Sequence, residues 1–225
     1  MSTIKPSVRA TDIAEYIRYQ SCDRRFKLKF NNYELAKQIP FSELIFATSL
    51  DPVLEEAGRI RESEWETSLQ KSGFLDLTQI NYKSSPSQAT DWNDFVKEIQ
   101  NLQAEQQAYG REISLNGNLE EFNIRGQIDF IVVLWENNEP KLRLVEGKAS
   151  RKDRTYHQVQ VALYQMLVRK RIEENPEMLN FDTKLYISRE SKTKQVKIST
   201  KHEFLKPTNK TNFLTHTSLK IANFI

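Results

Sequence analysis

The stretch GQIDFIVVLWENNEPKLRLVEGK, Gly126 to Lys148, reads as two strands joined by a short turn. Phe122 to Trp135 and Lys141 to Ala149 have the short period and β-branched character of strands, with Glu136-Asn137-Asn138-Glu139-Pro140 between them. Asparagine tolerates positive φ, so Asn137 and Asn138 suit a two-residue hairpin turn. That turn places Val133 opposite Leu142, Ile131 opposite Leu144 and Asp129 opposite Glu146, all on one face. A slip of one residue would send each of them to the wrong side. The face therefore begins apolar and ends in two carboxylates about 5 Å apart at Cβ, with Lys148 two residues beyond Glu146.

Two acids that close repel each other, and a buried charge is costly without a partner. A divalent cation between them resolves both problems; Mg²⁺ takes a few carboxylate oxygens and keeps waters that a substrate can replace. A bare Glu-x-Lys on a strand is more often a solvated charge pair. The inward face shared with Leu142 and Leu144, and the aspartate opposite, favour a site here.

Outward from the hairpin, a helix is expected over Thr155 to Glu174, ended by Asn175-Pro176. His157, Gln160 and Tyr164 share one of its faces; His157 reads more simply as a polar group at the helix start. Upstream, Asp51-Pro52 starts a helix that should run to about Ser72 and stop at Gly73. Its stripe of Leu54, Gly58, Glu62, Trp65 and Leu69 puts a carboxylate on an inward surface. Glu62 fits a functional acid there and equally an edge residue paired with Arg59 or Arg61. Gly58 implies a close backbone approach to another element, because glycine weakens a helix by roughly 1 kcal/mol against alanine. Ala10 to about Arg24 reads as an opening helix with Thr11 or Asp12 as cap, and Trp92 to Ala108 as a third. Ser84-Ser85-Pro86-Ser87 reads as a surface loop. Glu112 to Leu115 reads as a strand, and Lys184 to Ser188 with Gln195 to Ile198 as a late hairpin. Helices, a strand meander, a helix and more strands give a mixed α/β fold with an N-terminal helical addition.

The 225 residues suffice for one well-buried domain. With 38% hydrophobic and 28% charged residues, the chain is neither disordered nor collagen-like. A net charge of +3 permits a nucleic-acid partner without announcing one. Cys22 is the only cysteine, which excludes an internal disulfide and a cysteine-only cluster. The amino terminus lacks the apolar run of a signal peptide, and no stretch has the ~18 apolar residues of a membrane span. A soluble, cytoplasmic protein without a membrane partner is expected.

Gly126-Gln127-Ile128-Asp129, Val145-Glu146-Gly147-Lys148 and Gln160-Val161-Ala162-Leu163-Tyr164 together resemble the RecB-like branch of the PD-(D/E)XK nucleases, in which G-x-x-D, E-x-K and Q-x-x-x-Y follow in this order. Gly58-Arg59-Ile60-Arg61-Glu62 resembles that branch's first helix motif, a Gly four residues before a His or Glu. Thr11 to Tyr16 and Cys22-Asp23-Arg24-Arg25-Phe26 are similar to the opening of its CRISPR-adaptation and AddB-like members. The likeness spans about residues 8 to 170. It implies one domain with a restriction-endonuclease-like core: a helical N-terminal region (1–50), the nuclease core (51–200) and a C-terminal extension (201–225). The chain departs from many relatives in lacking their four cluster cysteines, so no iron–sulfur cluster is expected. It also carries Glu62 where RecB-like enzymes often have histidine.

The resemblance implies a hydrolase cutting phosphodiester bonds of DNA, in repair and recombination or in antiviral (CRISPR-type) defence. Asp129, Glu146 and Glu62 would bind Mg²⁺ or Mn²⁺, with the backbone carbonyl after Glu146 as a further ligand. Lys148 would orient the attacking water, Gln160 would position Lys148 or the phosphate, and Tyr164 would pack or bond beneath it. Arg151, Lys152 and Arg154 follow the active strand and are candidates to hold a phosphate; Arg24 and Arg25, with Lys27 and Lys29, form a second basic cluster. Lys192, Lys194, Lys197 and Lys201 form a third, and for these last two clusters a solvated face is as good a reading. Implied partners are single-stranded DNA or duplex ends, and a helicase or defence complex. The alternative is a catalytically inactive nuclease fold kept to bind DNA or a partner protein, and a remoter one is an RNA-processing nuclease.

Overall fold

The computed structural model describes residues 7–30, 33–42, 52–78, 89–119, 122–136, 139–147, 154–175, 182–188 and 194–195. Among these, the strands are β1 (Ser7–Arg9), β2 (Leu75–Asp76), β3 (Thr90–Asp91), β4 (Ala108–Leu119), β5 (Phe122–Glu136), β6 (Glu139–Gly147), β7 (Asp182–Ser188) and β8 (Lys194–Gln195). The helices are α1 (Ala10–Arg18), α2 (Asp23–Phe30), α3 (Tyr33–Lys37), α4 (Pro52–Lys71), α5 (Trp92–Gln100) and α6 (Thr155–Glu173). Lys148, Arg151, Lys152, the Asn137-Asn138 turn, the Ser84–Ser87 stretch, Lys192, Lys197, Lys201 and the last twenty residues lie outside the described residues.

One sheet runs β2-β4-β5-β6-β7-β8, with β1 added to β5 and β3 to β4. The pairs β4/β5 and β5/β6 are antiparallel. β6 and β7 are parallel, so α6 forms the crossover between them. The β5/β6 register is the one the sequence predicts: Val133 pairs with Leu142, Ile131 with Leu144 and Phe130 with Val145. Glu136 pairs with Glu139, as a two-residue connection requires.

Alternation along these strands loads both faces of the sheet. Ile131, Val133, Leu142 and Leu144 join Ile13 and Tyr16 of α1, Phe95 and Ile99 of α5, and Val161 and Leu167 of α6 in the main core. On the opposite face Phe130, Val132 and Val145 meet Leu69, Tyr109 and Trp65, so α4 covers that side. The Trp65 and Phe130 rings meet edge-on, 4.7 Å between centroids. This is the helix-flanked mixed sheet expected from the strand and helix order.

Three expectations change. The opening helix stops at Arg18, because Gln20 and Ser21 both adopt left-handed backbone (φ 57°) and turn the chain into a separate α2. Its N-terminus is closed by Asp12, which accepts from the Arg9 backbone N–H and from its guanidinium. α5 ends at Gln100 rather than Ala108: Glu105 turns at φ 65°, and the Gln107 carbonyl already accepts from Leu75 in the sheet. Among the described residues, nothing lies within 4 Å of where a Cβ on Gly58 would stand, so the expected close backbone approach is not found there. The stop of α4 at Gly73 holds, with φ +83° beyond the helix end.

Candidate active site

The β5/β6 ladder closes at Phe130–Val145, one step before Asp129 and Glu146, so the expected pairing of these two acids on one face is not formed: Glu146 turns toward α6 and Asp129 toward Gly147 and Glu62. Where the ladder stops, the Asp129 carboxylate takes over: its Oδ2 accepts from the Gly147 backbone N–H at 2.5 Å. Glu146 is 3% exposed and points to the α6 side, as Leu144 and Leu142 do. There the Gln160 amide donates from Nε2 to Glu146 Oε1 (2.6 Å) and to the Tyr164 hydroxyl oxygen (2.8 Å). A primary amide has two N–H groups, so one side chain serves both acceptors.

Tyr164 lies against Gly126. A Cβ at Gly126 would stand 2.7 and 2.9 Å from carbons of its ring, so glycine is what lets the ring sit on the strand. Burial, and then the Glu146 charge, raise the Tyr164 hydroxyl well above its ordinary pKa. It stays neutral, and glycine, glutamine and tyrosine brace Glu146 from behind. His157 is buried on the same helix, its ring 4.3 Å from that of Tyr156.

From the other face α4 brings Glu62. Glu62 Oε1 and Asp129 Oδ2 lie 3.3 and 3.2 Å from the point where a Cβ on Gly147 would stand, so both carboxylates converge above this glycine. The partner of Glu62 is neither Arg59 nor Arg61 but Arg111 of β4, whose Nη2 is 3.1 Å from Glu62 Oε2. Arg59 instead pairs with Glu55 and Glu56 on its own helix.

Sequence reasoning missed Glu112. The β4/β5 ladder pairs Arg111 with Phe130 and Ile113 with Ile128, but skips Glu112 and Asp129 between them. Ile128 and Ile131, three apart, both reach the main core, which strict alternation forbids; Ala108 and Ile113 on β4 do the same. Both strands thus carry an unpaired residue at the same level, and Glu112 adopts a left-handed backbone, φ 51°. Burial, and then the Glu62 charge, raise the Glu112 carboxyl above the usual range, while the Gln127 amide that donates to it opposes the shift. Glu146 raises it further, so Glu112 shares its electrostatic surroundings with two of the predicted acids. The signal was faint: beyond Asp129 the run Phe130-Ile131-Val132-Val133 is apolar throughout, so alternation cannot tell which of these residues faces which side.

The family model of the PD-(D/E)XK nuclease superfamily matches residues 14–219. The chain belongs to the PD-(D/E)XK nuclease superfamily. No curated protein and no solved structure gives a significant match. Members of this superfamily are typically nucleases and generally use divalent metals, and the nuclease fold implies nucleic-acid binding. No helix among the described residues is long and apolar enough to cross a membrane.

The donor set suits such an ion: Glu62, Asp129 and Glu146 offer only carboxylate oxygens, from three different elements, as a small hard cation prefers. Among the described residues, however, no three His, Cys, Asp or Glu side chains already stand as a ligand set. Each of the three acids has a protein donor instead: Arg111, the Gly147 N–H and the Gln160 amide. Among the basic candidates, Arg154 is exposed just before α6 and Arg24 is exposed on α2. Arg25 is used internally, paired with Glu15 at 3.3 Å and lying over the Tyr19 ring at 3.8 Å.

Proposed function

We propose that this PD-(D/E)XK protein is a Mg²⁺- or Mn²⁺-dependent deoxyribonuclease of the RecB-like branch, similar to AddB-type and CRISPR-adaptation nuclease domains. The observation that carries the reading is the meeting of Asp129 and Glu62 above Gly147, with Glu146 one residue away and bonded to Gln160. A bound divalent ion supplies Lewis acidity and a water of lowered pKa. Asp129, Glu146 and Glu62 hold that ion; the Gln160 amide and the Tyr164 hydroxyl fix the Glu146 carboxylate. Lys148, two residues along the chain from Glu146, orients the attacking water and offsets negative charge as the phosphodiester bond breaks. Arg151, Lys152 and Arg154 hold the phosphate next to the scissile one, and Arg24 and Arg25 extend the basic surface. Single-stranded DNA or duplex ends are the substrates, in the cytoplasm, within a repair or antiviral-defence assembly.

One observation favours a second reading, a nuclease fold kept for binding alone: each acid already has a protein donor in place. Labelled single-stranded DNA, duplex DNA and RNA, incubated with Mg²⁺ or with EDTA, separate the two. The nuclease reading predicts Mg²⁺-dependent cleavage of DNA that Asp129→Ala and Lys148→Ala abolish. Binding without cleavage, equal in wild type and both variants, establishes the other reading; preferential RNA cleavage overturns the choice of substrate.

A further inference from the structure

Glu62 divides its two carboxylate oxygens between different tasks. Oε2 accepts from Arg111 Nη2 at 3.1 Å, whereas Oε1 faces the Gly147 backbone beside Asp129 Oδ2. Arg111 is itself held from several sides. Its Nη1 donates to Glu66 Oε2 at 2.8 Å, its backbone N–H donates to Thr78 Oγ1 at 3.2 Å, and its guanidinium carbon lies 5.6 Å from the centre of the Phe130 ring. Glu66 in turn accepts from the Tyr109 hydroxyl at 3.3 Å. Arg111, Glu62 and Glu66 side chains are only 16%, 21% and 20% exposed, so water screens this fork poorly.

A glutamate on a helix has three side-chain torsions to fix, and the hydrogen bond to Glu62 comes from Arg111 on β4, across the gap between helix and sheet. A planar guanidinium anchored on Glu66 through Nη1 aims Nη2 in a fixed direction at Glu62 Oε2; an ammonium, a point donor on a flexible stem, fixes no such direction. We propose that Arg111 is a positioning residue of the candidate active site: it clamps Glu62 Oε2 so that Oε1 is presented, beside Asp129, to a divalent cation. The inference rests on the nuclease reading for its purpose, though not for its test.

A mere strut between α4 and the sheet would make the same contacts, so stability alone does not decide. Arg111→Lys keeps the charge and loses the fork; Glu66→Gln leaves Arg111 intact and releases its anchor. Mn²⁺ binding, followed by calorimetry or by the resonance signal of free Mn²⁺, needs no turnover. Residues that orient a metal ligand typically contribute 10–100-fold in affinity, so Arg111→Lys should weaken Mn²⁺ binding about tenfold or more, and Glu66→Gln less in the same direction. The Mg²⁺ concentration for half-maximal cleavage should rise in step. Because Arg111 acts through Glu62, adding Arg111→Lys to Glu62→Gln should cost no further affinity. Unchanged Mn²⁺ affinity in both single variants, or additive losses in the double variant, overturns the proposal. Wild type that binds Mn²⁺ but cleaves nothing overturns the nuclease reading instead, leaving the Mn²⁺ comparison to decide the role of Arg111.

Discussion

Two glycine-to-alanine changes should have opposite signs. At Gly126 the new methyl would stand 2.7 and 2.9 Å from Tyr164 ring carbons, inside van der Waals contact. Tyr164 is 1% exposed and tied through its hydroxyl to Gln160, so the ring has nowhere to swing. Overpacking of this kind costs about 1–3 kcal/mol, and the stiffer unfolded chain returns about 0.4–1 kcal/mol. The net loss centres near ~1.3 kcal/mol, a fall in melting temperature of roughly 3–5 °C for a chain of this size. At Gly58, in the interior of α4, none of the described residues lies within 4 Å of the added carbon. Helix propensity alone then gives about 0.8–1 kcal/mol in favour of alanine, a rise of roughly 2–4 °C. Calorimetric melting of wild type and both variants under one condition is the assay. Gly126→Ala melting at or above wild type would refute the packing of Tyr164 on the strand, and with it the brace behind Glu146.

Other consequences are equally direct. Gln160→Leu removes the amide from buried Glu146 and should lower stability by about 1–3 kcal/mol, together with DNA cleavage; unaltered melting would remove Gln160 from the brace. Glu112→Gly relieves a left-handed backbone, and after allowing for glycine's greater freedom when unfolded should stabilise by about 0.5–1 kcal/mol; a lower denaturant midpoint would argue against the kink. Tyr16, buried and donating to Asp23, has its hydroxyl pushed up to about 12, by burial first. A folded value above the unfolded one gives stability that is full below about pH 10 and lost as pH rises through about 12. Tyr16→Phe should therefore flatten the alkaline loss of melting temperature, and parallel wild-type and variant curves across that window would contradict this.

The hairpin register was legible because two constraints agreed. A two-residue turn at Asn137-Asn138 and inward positions at Ile131, Val133, Leu142 and Leu144 admit one pairing, and the ladder has it. Gln160 and Tyr164 followed from helical spacing beside it. The paired skip at Glu112 and Asp129 was hidden, since Phe130 to Val133, which follow Asp129, are all apolar and alternation cannot tell their faces apart. The Arg111–Glu62 clamp was equally out of reach: it joins residues 49 positions apart across α4 and β4, and nothing local ranks Arg111 above Arg59 or Arg61 as the partner. The break after Arg18 was missed because Tyr19-Gln20-Ser21 contains neither glycine nor proline to announce left-handed backbone.

The central claim is that one divalent ion is held by Asp129, Glu146 and Glu62. Crystals soaked in Mn²⁺ and measured for its anomalous scattering test it most directly. The prediction is a single strong peak about 2.0–2.2 Å from oxygens of Asp129 and Glu146, the distance of a small hard cation, with Glu62 on the same ion or one water away. No peak between these carboxylates at saturating Mn²⁺, or a peak bound elsewhere, would contradict it.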